Sequence, residues 1–173
     1  MRITISFFIL FALSSLSRAQ EKINWLSFED AIALNKKNPK PILIDIYTDW
    51  CGYCKKMDIE TYSNKVIIDY INNNFYAIKL DGEGKEDITY KGYTFKHKQQ
   101  GRSSFHELSA ALMDGKLSYP TTIFLNEKEE LIQKIPGYLP TVRFEKIISY
   151  FATKSYSDKT WEEFEKTFKS NLQ

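Results

Sequence analysis

Two cysteines stand three positions apart in the run Trp50-Cys51-Gly52-Tyr53-Cys54-Lys55, and the chain has no others. That spacing puts both side chains on one face of a helix, one turn apart and within reach of a disulfide. A cysteine at a helix start meets unsatisfied backbone N–H groups and the positive end of the helix dipole, and both favour the nucleophilic thiolate. The pair therefore suits thiol–disulfide exchange, with Cys51 attacking a disulfide and Cys54 resolving the mixed disulfide. Gly52 leaves room for an approaching chain. As a structural staple the pair would achieve little, because so small a loop removes little entropy from the unfolded chain. Zinc is the rival use of such a pair, but it needs two further ligands. His97 and His106 stand at no common ligand spacing, so no metal is expected and both read as ordinary surface or helix residues.

Two carboxylates accompany the thiols. Asp45 lies within the apolar run Pro41-Ile42-Leu43-Ile44-Asp45-Ile46-Tyr47, where an unpaired charge is costly. A buried carboxylate there has a raised pKa and can relay protons to or from Cys54; the alternative is a strand-end acid in water. Asp58, four residues after Cys54, shares the helix face of the pair, and its charge would raise the thiol pKa. A solvated helix acid is the competing reading.

The elements that must position these groups alternate along the chain. Ile23 to Leu26 reads as a short strand, and Ser27 with Asp30 as a cap for a helix burying Phe28, Ala31 and Ile32 before Pro39. The run at 41–47 reads as a strand buried on both faces of a parallel sheet. After the cysteine helix, Ser63 is expected to cap a helix bearing Val66, Ile67, Tyr70 and Ile71, and Phe75 to Leu80 forms another buried strand. Ile88–Tyr90 and Tyr93–Phe95, joined by Lys91-Gly92, suggest a hairpin. Ser104 and Glu107 suggest a capping box for a helix ending near Gly115. Thr121–Leu125 and Leu131–Ile135 have the separation of an antiparallel pair, and Phe144, Ile147, Ile148 and Phe151 mark one helix face. Trp161, Phe164 and Phe168 form an apolar stripe at about 157–172, read as an extra helix packed on the domain.

The 173 residues are enough for one domain. Met1-Arg2, the apolar stretch from Ile3 to Leu13 and the close Ser17-Arg18-Ala19 read as an export signal cleaved after Ala19, leaving a single domain over 20–173. An uncleaved anchor is the alternative, and the only membrane contact expected. Export implies an oxidising compartment, most simply the bacterial periplasm. Of the 24 basic residues, Arg2 and Arg18 fall in that segment, leaving 22 against 22 acidic residues. Such a balance gives no footprint for nucleic acid.

The segment from Pro41 through Asp45, Trp50, Cys51 and Cys54 to Lys55 resembles the active-site segment of the thioredoxin superfamily. The resemblance implies an α/β thioredoxin fold: a central mixed sheet flanked by helices, here with an insertion at about 82–118 and a C-terminal helical extension. It also implies a cis-proline turn at Tyr119-Pro120-Thr121 beside the disulfide, and it matches Gly137 to the glycine after the last strand. Within the superfamily, Tyr47-Thr48-Asp49-Trp50-Cys51 and the acid at Asp58 are similar to the C-terminal periplasmic domain of the bacterial thiol:disulfide interchange protein. That likeness implies an oxidoreductase acting on protein thiols and disulfides. Cys51, Cys54, Asp45 and Asp58 would carry the chemistry, with Trp50, Gly52, Tyr53, Tyr119, Pro120 and Thr121 at the substrate edge. It also implies an upstream electron donor and no cofactor beyond the redox-active disulfide. Gly52-Tyr53 lacks the proline of ordinary thioredoxin and resembles the dipeptide of bacterial disulfide isomerases, so an isomerase or oxidase stays open beside the reductase. A binding module with incidental cysteines is the reading from outside enzymology. Lys91, Lys96, Lys98 and Arg102 in the insertion are either a partner contact or a solvated basic surface.

Overall fold

The computed structural model describes residues 22–172, so the expected export signal lies outside the described residues. The strands of the main sheet are β1 (Trp25–Leu26), β2 (Ile42–Tyr47), β3 (Tyr76–Asp81), β8 (Thr121–Leu125) and β9 (Leu131–Pro136). Their order is β1-β3-β2-β8-β9; β3 runs parallel to β1 and β2, while β8 is antiparallel to β2 and β9. This is a mixed sheet with helices on both faces, the thioredoxin fold. Among the described residues no helix is long and apolar enough to cross a membrane.

Strand β2 runs through the middle, and its alternation explains the two cores. Ile42, Ile44 and Ile46 point to one face, where they meet Phe28, Ala31 and Ile32 of α1 (Phe28–Lys37), with Ile78, Leu80, Ile123 and Leu108. Leu43 points to the other face, towards Met57 of α2 (Gly52–Glu60), Ile67 and Ile71 of α3 (Lys65–Asn74), and Phe144 and Ile148 of α5 (Thr141–Ala152). Fully burying one such aliphatic side chain contributes about 1.5–3 kcal/mol.

Local sequence sets most boundaries. Ser27 accepts a hydrogen bond from the Asp30 N–H at the start of α1, as its spacing predicts. The cap of α3 is Asn64 and not Ser63. The Asn64 side chain accepts from the N–H groups of Val66 and Ile67, whereas the Ser63 hydroxyl donates back to the Ile59 carbonyl. With the Ser63 hydroxyl committed to the preceding helix, the Asn64 side-chain oxygen is the acceptor left at the start of α3.

The insertion holds two hairpins. The first pairs β4 (Ile88–Tyr90) with β5 (Tyr93–Phe95), the hairpin expected around Lys91-Gly92. The second corrects the sequence reading: Ser103–His106 is a strand, β7, paired with β6 (His97–Gln100). Ser104 therefore caps nothing. The cap of α4 (Glu107–Leu112) is His106, which is fully buried. At the other end, α6 (Trp161–Thr167) begins with a capping box from Thr160 and Glu163. Its Trp161 and Phe164 pack on Tyr150 of α5, with ring centroids 5.4 and 5.1 Å away.

Candidate active site

Cys51 is the N-cap of α2, and Cys54 lies in its first turn. The two form a disulfide with their Cα atoms 5.3 Å apart. The Cys54 backbone N–H donates to the Cys51 sulfur at 3.1 Å, so an N–H at the start of α2 is aimed at the sulfur that would carry the thiolate. Both residues are nearly covered, Cys51 retaining 5% exposure and Cys54 3%.

Asp45 lies on the same face of β2 as Leu43 and Tyr47, 1% exposed, so it is not the strand-end acid in water. Across the sheet it is in register with Lys79 on β3 and Thr122 on β8. Lys79 Nζ stands 3.2 Å from Asp45 Oδ2 and also pairs with Asp58. Asp45 Oδ1 and the hydroxyls of Tyr62, Thr48 and Thr122 are buried without a hydrogen-bond partner. Burial, only partly offset by Lys79, raises the Asp45 pKa from 3.8 to about 6. Tyr62 is pushed well above its ordinary value, first by burial and then by the Asp45 carboxylate.

The two expected carboxylates are thus joined through Lys79, which sequence reading did not single out. Its ammonium is also about 5.2 Å from the ring centres of Trp25, Tyr47 and Tyr62. The available signal was a lone lysine in the otherwise apolar run from Phe75 to Leu80. A cavity of about 420 Å³, lined in part by Asp58, Lys79, Tyr62 and Trp25, opens onto this group.

The expected substrate edge divides into exposed and covered members. Trp50 and Tyr53 are each 65% exposed, and a Cβ at Gly52 would meet open space. The Trp50 indole N–H donates to Glu83 at 3.1 Å, and its ring stands edge-on to Tyr119 at 5.8 Å. The Tyr119–Pro120 peptide bond is cis, and the Pro120 carbonyl accepts from the Gly137 N–H at 2.7 Å. Gly137 has φ +94°, a conformation that suits glycine at this close approach. Thr121 is buried with its hydroxyl on the Ser118 carbonyl, so its side chain is not offered at the edge. Tyr138, also not anticipated, lies beside Tyr53, and its hydroxyl bonds Glu60 of α2.

His97 and His106 use their ring nitrogens on backbone groups of the insertion, and no group of three or more candidate metal ligands occurs among the described residues. Lys96 and Lys98 pair with Asp87 and Glu107.

Several solved structures resemble this one, two of them as follows. A thioredoxin-fold protein from Helicobacter pylori has a TM-score of 0.56 at 21% identity, covering 75% of this chain and 80% of that one. A thioredoxin from Thermus thermophilus has a TM-score of 0.57 at 17% identity, covering 77% and 89%. Identities this low establish the shared fold. Among curated sequences, an uncharacterized protein of Caenorhabditis elegans is 32% identical over 74 residues, 42% of this chain and 10% of that one. The chain spans about a tenth of the length of that relative. With the sheet order, the helix-capping cysteine pair and a match of residues 28–152 to the thioredoxin-like domain, the chain belongs to the thioredoxin-like family.

Proposed function

We propose that the chain is an exported thiol:disulfide oxidoreductase working mainly as a reductase of protein disulfides, in the bacterial periplasm. The observation that carries this reading is the Cys51 sulfur held at the start of α2 under the Cys54 N–H, with a buried carboxylate of raised pKa on the neighbouring strand.

The Cys51 thiolate attacks one sulfur of a substrate disulfide, forming a mixed disulfide and releasing the other sulfur, which takes up a proton. Asp45, ionised above about pH 6, accepts the proton of Cys54. The Cys54 thiolate then attacks Cys51, closing the Cys51–Cys54 disulfide and releasing the second substrate thiol. Two electrons pass from the dithiol to the substrate, and an upstream dithiol donor restores the pair. The cavity lined by Lys79 and Asp58 borders the polar group that Asp45 joins through Lys79. Trp50, Gly52 and Tyr53, with Tyr119 and the cis-proline turn at Pro120, form the docking edge. No organic cofactor or metal is required, because the electrons travel as thiol pairs.

The Gly52-Tyr53 dipeptide favours disulfide isomerase as the second reading. Reduction of a protein disulfide tests both against a pure binding module. Cys51→Ala is expected to abolish turnover, and Cys54→Ala to accumulate a mixed disulfide on Cys51, seen by mass spectrometry. A Cys51→Ala variant reducing at the normal rate would defeat the proposal.

A further inference from the structure

The loop after β3 is held from both sides. The Gly82 N–H donates to the Tyr47 carbonyl at 2.7 Å, fastening the loop to the end of β2. On its far side stands the β6–β7 hairpin, whose His97 and His106 face each other in register. The His97 ring reaches the Glu83 carbonyl through Nδ1 at 3.1 Å, and the His106 backbone N–H donates to the Gly82 carbonyl at 2.7 Å. The His106 ring reaches the Glu86 carbonyl through Nε2 at 3.1 Å while its Nδ1 accepts from the Leu108 N–H. An accepting Nδ1 fixes His106 as the neutral tautomer with its proton on Nε2. Three loop carbonyls are therefore satisfied by two adjacent residues of one hairpin.

What the loop holds in turn is an aromatic wall made of exposed Trp50 and partly buried Tyr119. The Glu83 carboxylate takes the Trp50 indole N–H. Gly82 lies so close under Tyr119 that a Cβ there would stand 2.4 Å from its ring. Trp50 thus rests on Glu83 and Tyr119 on Gly82.

We propose that the β6–β7 hairpin positions the substrate wall, with His97 and His106 acting as positioning residues that hold Gly82 and Glu83 so that Trp50 and Tyr119 keep one arrangement for a protein disulfide. This rests on the disulfide-exchange reading. It assigns the 82–118 insertion a part in selecting protein-sized substrates over small disulfides. A bulky substrate must be oriented by the wall, whereas a small disulfide needs only access to the Cys51 sulfur.

The test is His97→Ala in the otherwise intact chain, with the conservative His97→Asn beside it. An asparagine amide can donate from nearly the place of Nδ1. Two quantities are read: the indole N–H resonance of Trp50, with Trp25 and Trp161 as internal references, and the ratio of kcat/KM for insulin to that for a dithiobis-benzoate. Losing one hydrogen bond in the clamp should lower that ratio about two- to tenfold, mainly through the KM for insulin. The Trp50 resonance should shift while Trp25 and Trp161 hold still, and His97→Asn should restore both quantities. Glu83→Ala, which removes the acceptor and spares the hairpin, should produce the same pair of changes. A His97→Ala protein with the Trp50 resonance and the ratio both at wild-type values overturns the proposal. If the wild type reduces neither substrate while the Trp50 resonance still responds, the disulfide-exchange reading fails and the clamp on the wall stands.

Discussion

The two faces of β2 are built on opposite terms. On the α1 face, Ile42, Ile44 and Ile46 are fully buried among aliphatic and aromatic neighbours, and no polar side chain interrupts the row. On the other face the row runs Leu43, Asp45, Tyr47, and the central position is a carboxylate with one oxygen unbonded and the other on Lys79. The first face contributes stability. The second gives some of it up: a charge is kept dry where an apolar residue would pack better, and the strand neighbours the thiols. A single strand thus carries an unbroken apolar row on one face and, on the other, a carboxylate set within a second core.

The largest effect that would break this comparison is on the apolar face. Ile44→Ala should cost about 2–5 kcal/mol of unfolding free energy, through lost transfer energy and a residual cavity. It should leave the reduction potential of the cysteine pair and the pH profile of reduction unchanged. A shift in either, with the sheet intact, would mean that the faces are not separate in function.

Asp45→Asn should act in the opposite sense. The folded pKa is raised from 3.8 to about 6, so the native state binds the proton more tightly than the unfolded chain. This contribution is fully present below about pH 4 and is lost as pH rises through 6. Above pH 7 the variant should be more stable than the wild type by up to about 3 kcal/mol. It should also lack the inflection near pH 6 in reduction rate. Urea unfolding across pH 4 to 8, compared between the two proteins, checks the sign. A variant less stable than the wild type at pH 8 would show that Lys79 more than repays the burial of the charge.

Much of this division is legible in the sequence, and the missing parts share a cause. The apolar run of β2, the cysteine spacing and the Lys91-Gly92 hairpin are local patterns, and each appears where its residues place it. The bridge from Asp45 through Lys79 to Asp58 joins β2, β3 and α2, and no window of sequence contains it. Ser104-x-x-Glu107 carries the letters of a capping box, yet pairing with His97–Gln100 turns Ser103–His106 into strand and leaves Glu107 to open α4. A hairpin with no buried apolar row gives no period-2 signal, so its register depends on contacts that the sequence alone does not display.

The smallest expected effect sharpens the polar side. Asp58 is half-exposed, and Asp58→Asn should change stability by less than about 1 kcal/mol. Removing its charge also removes one of the influences that raise Asp45, so the inflection near pH 6 should move down by less than about one unit. An upward move would mean that Asp58 matters chiefly by holding Lys79 in place.

The most direct test of the central claim is the reduction potential of the Cys51–Cys54 pair. It is read by equilibrating the protein in defined thiol buffers, alkylating it and weighing the products. A dithiol that donates electrons to protein disulfides should have a value near or below about −230 mV. A value above about −180 mV would contradict the reductase and point to an isomerase or oxidase on the same fold.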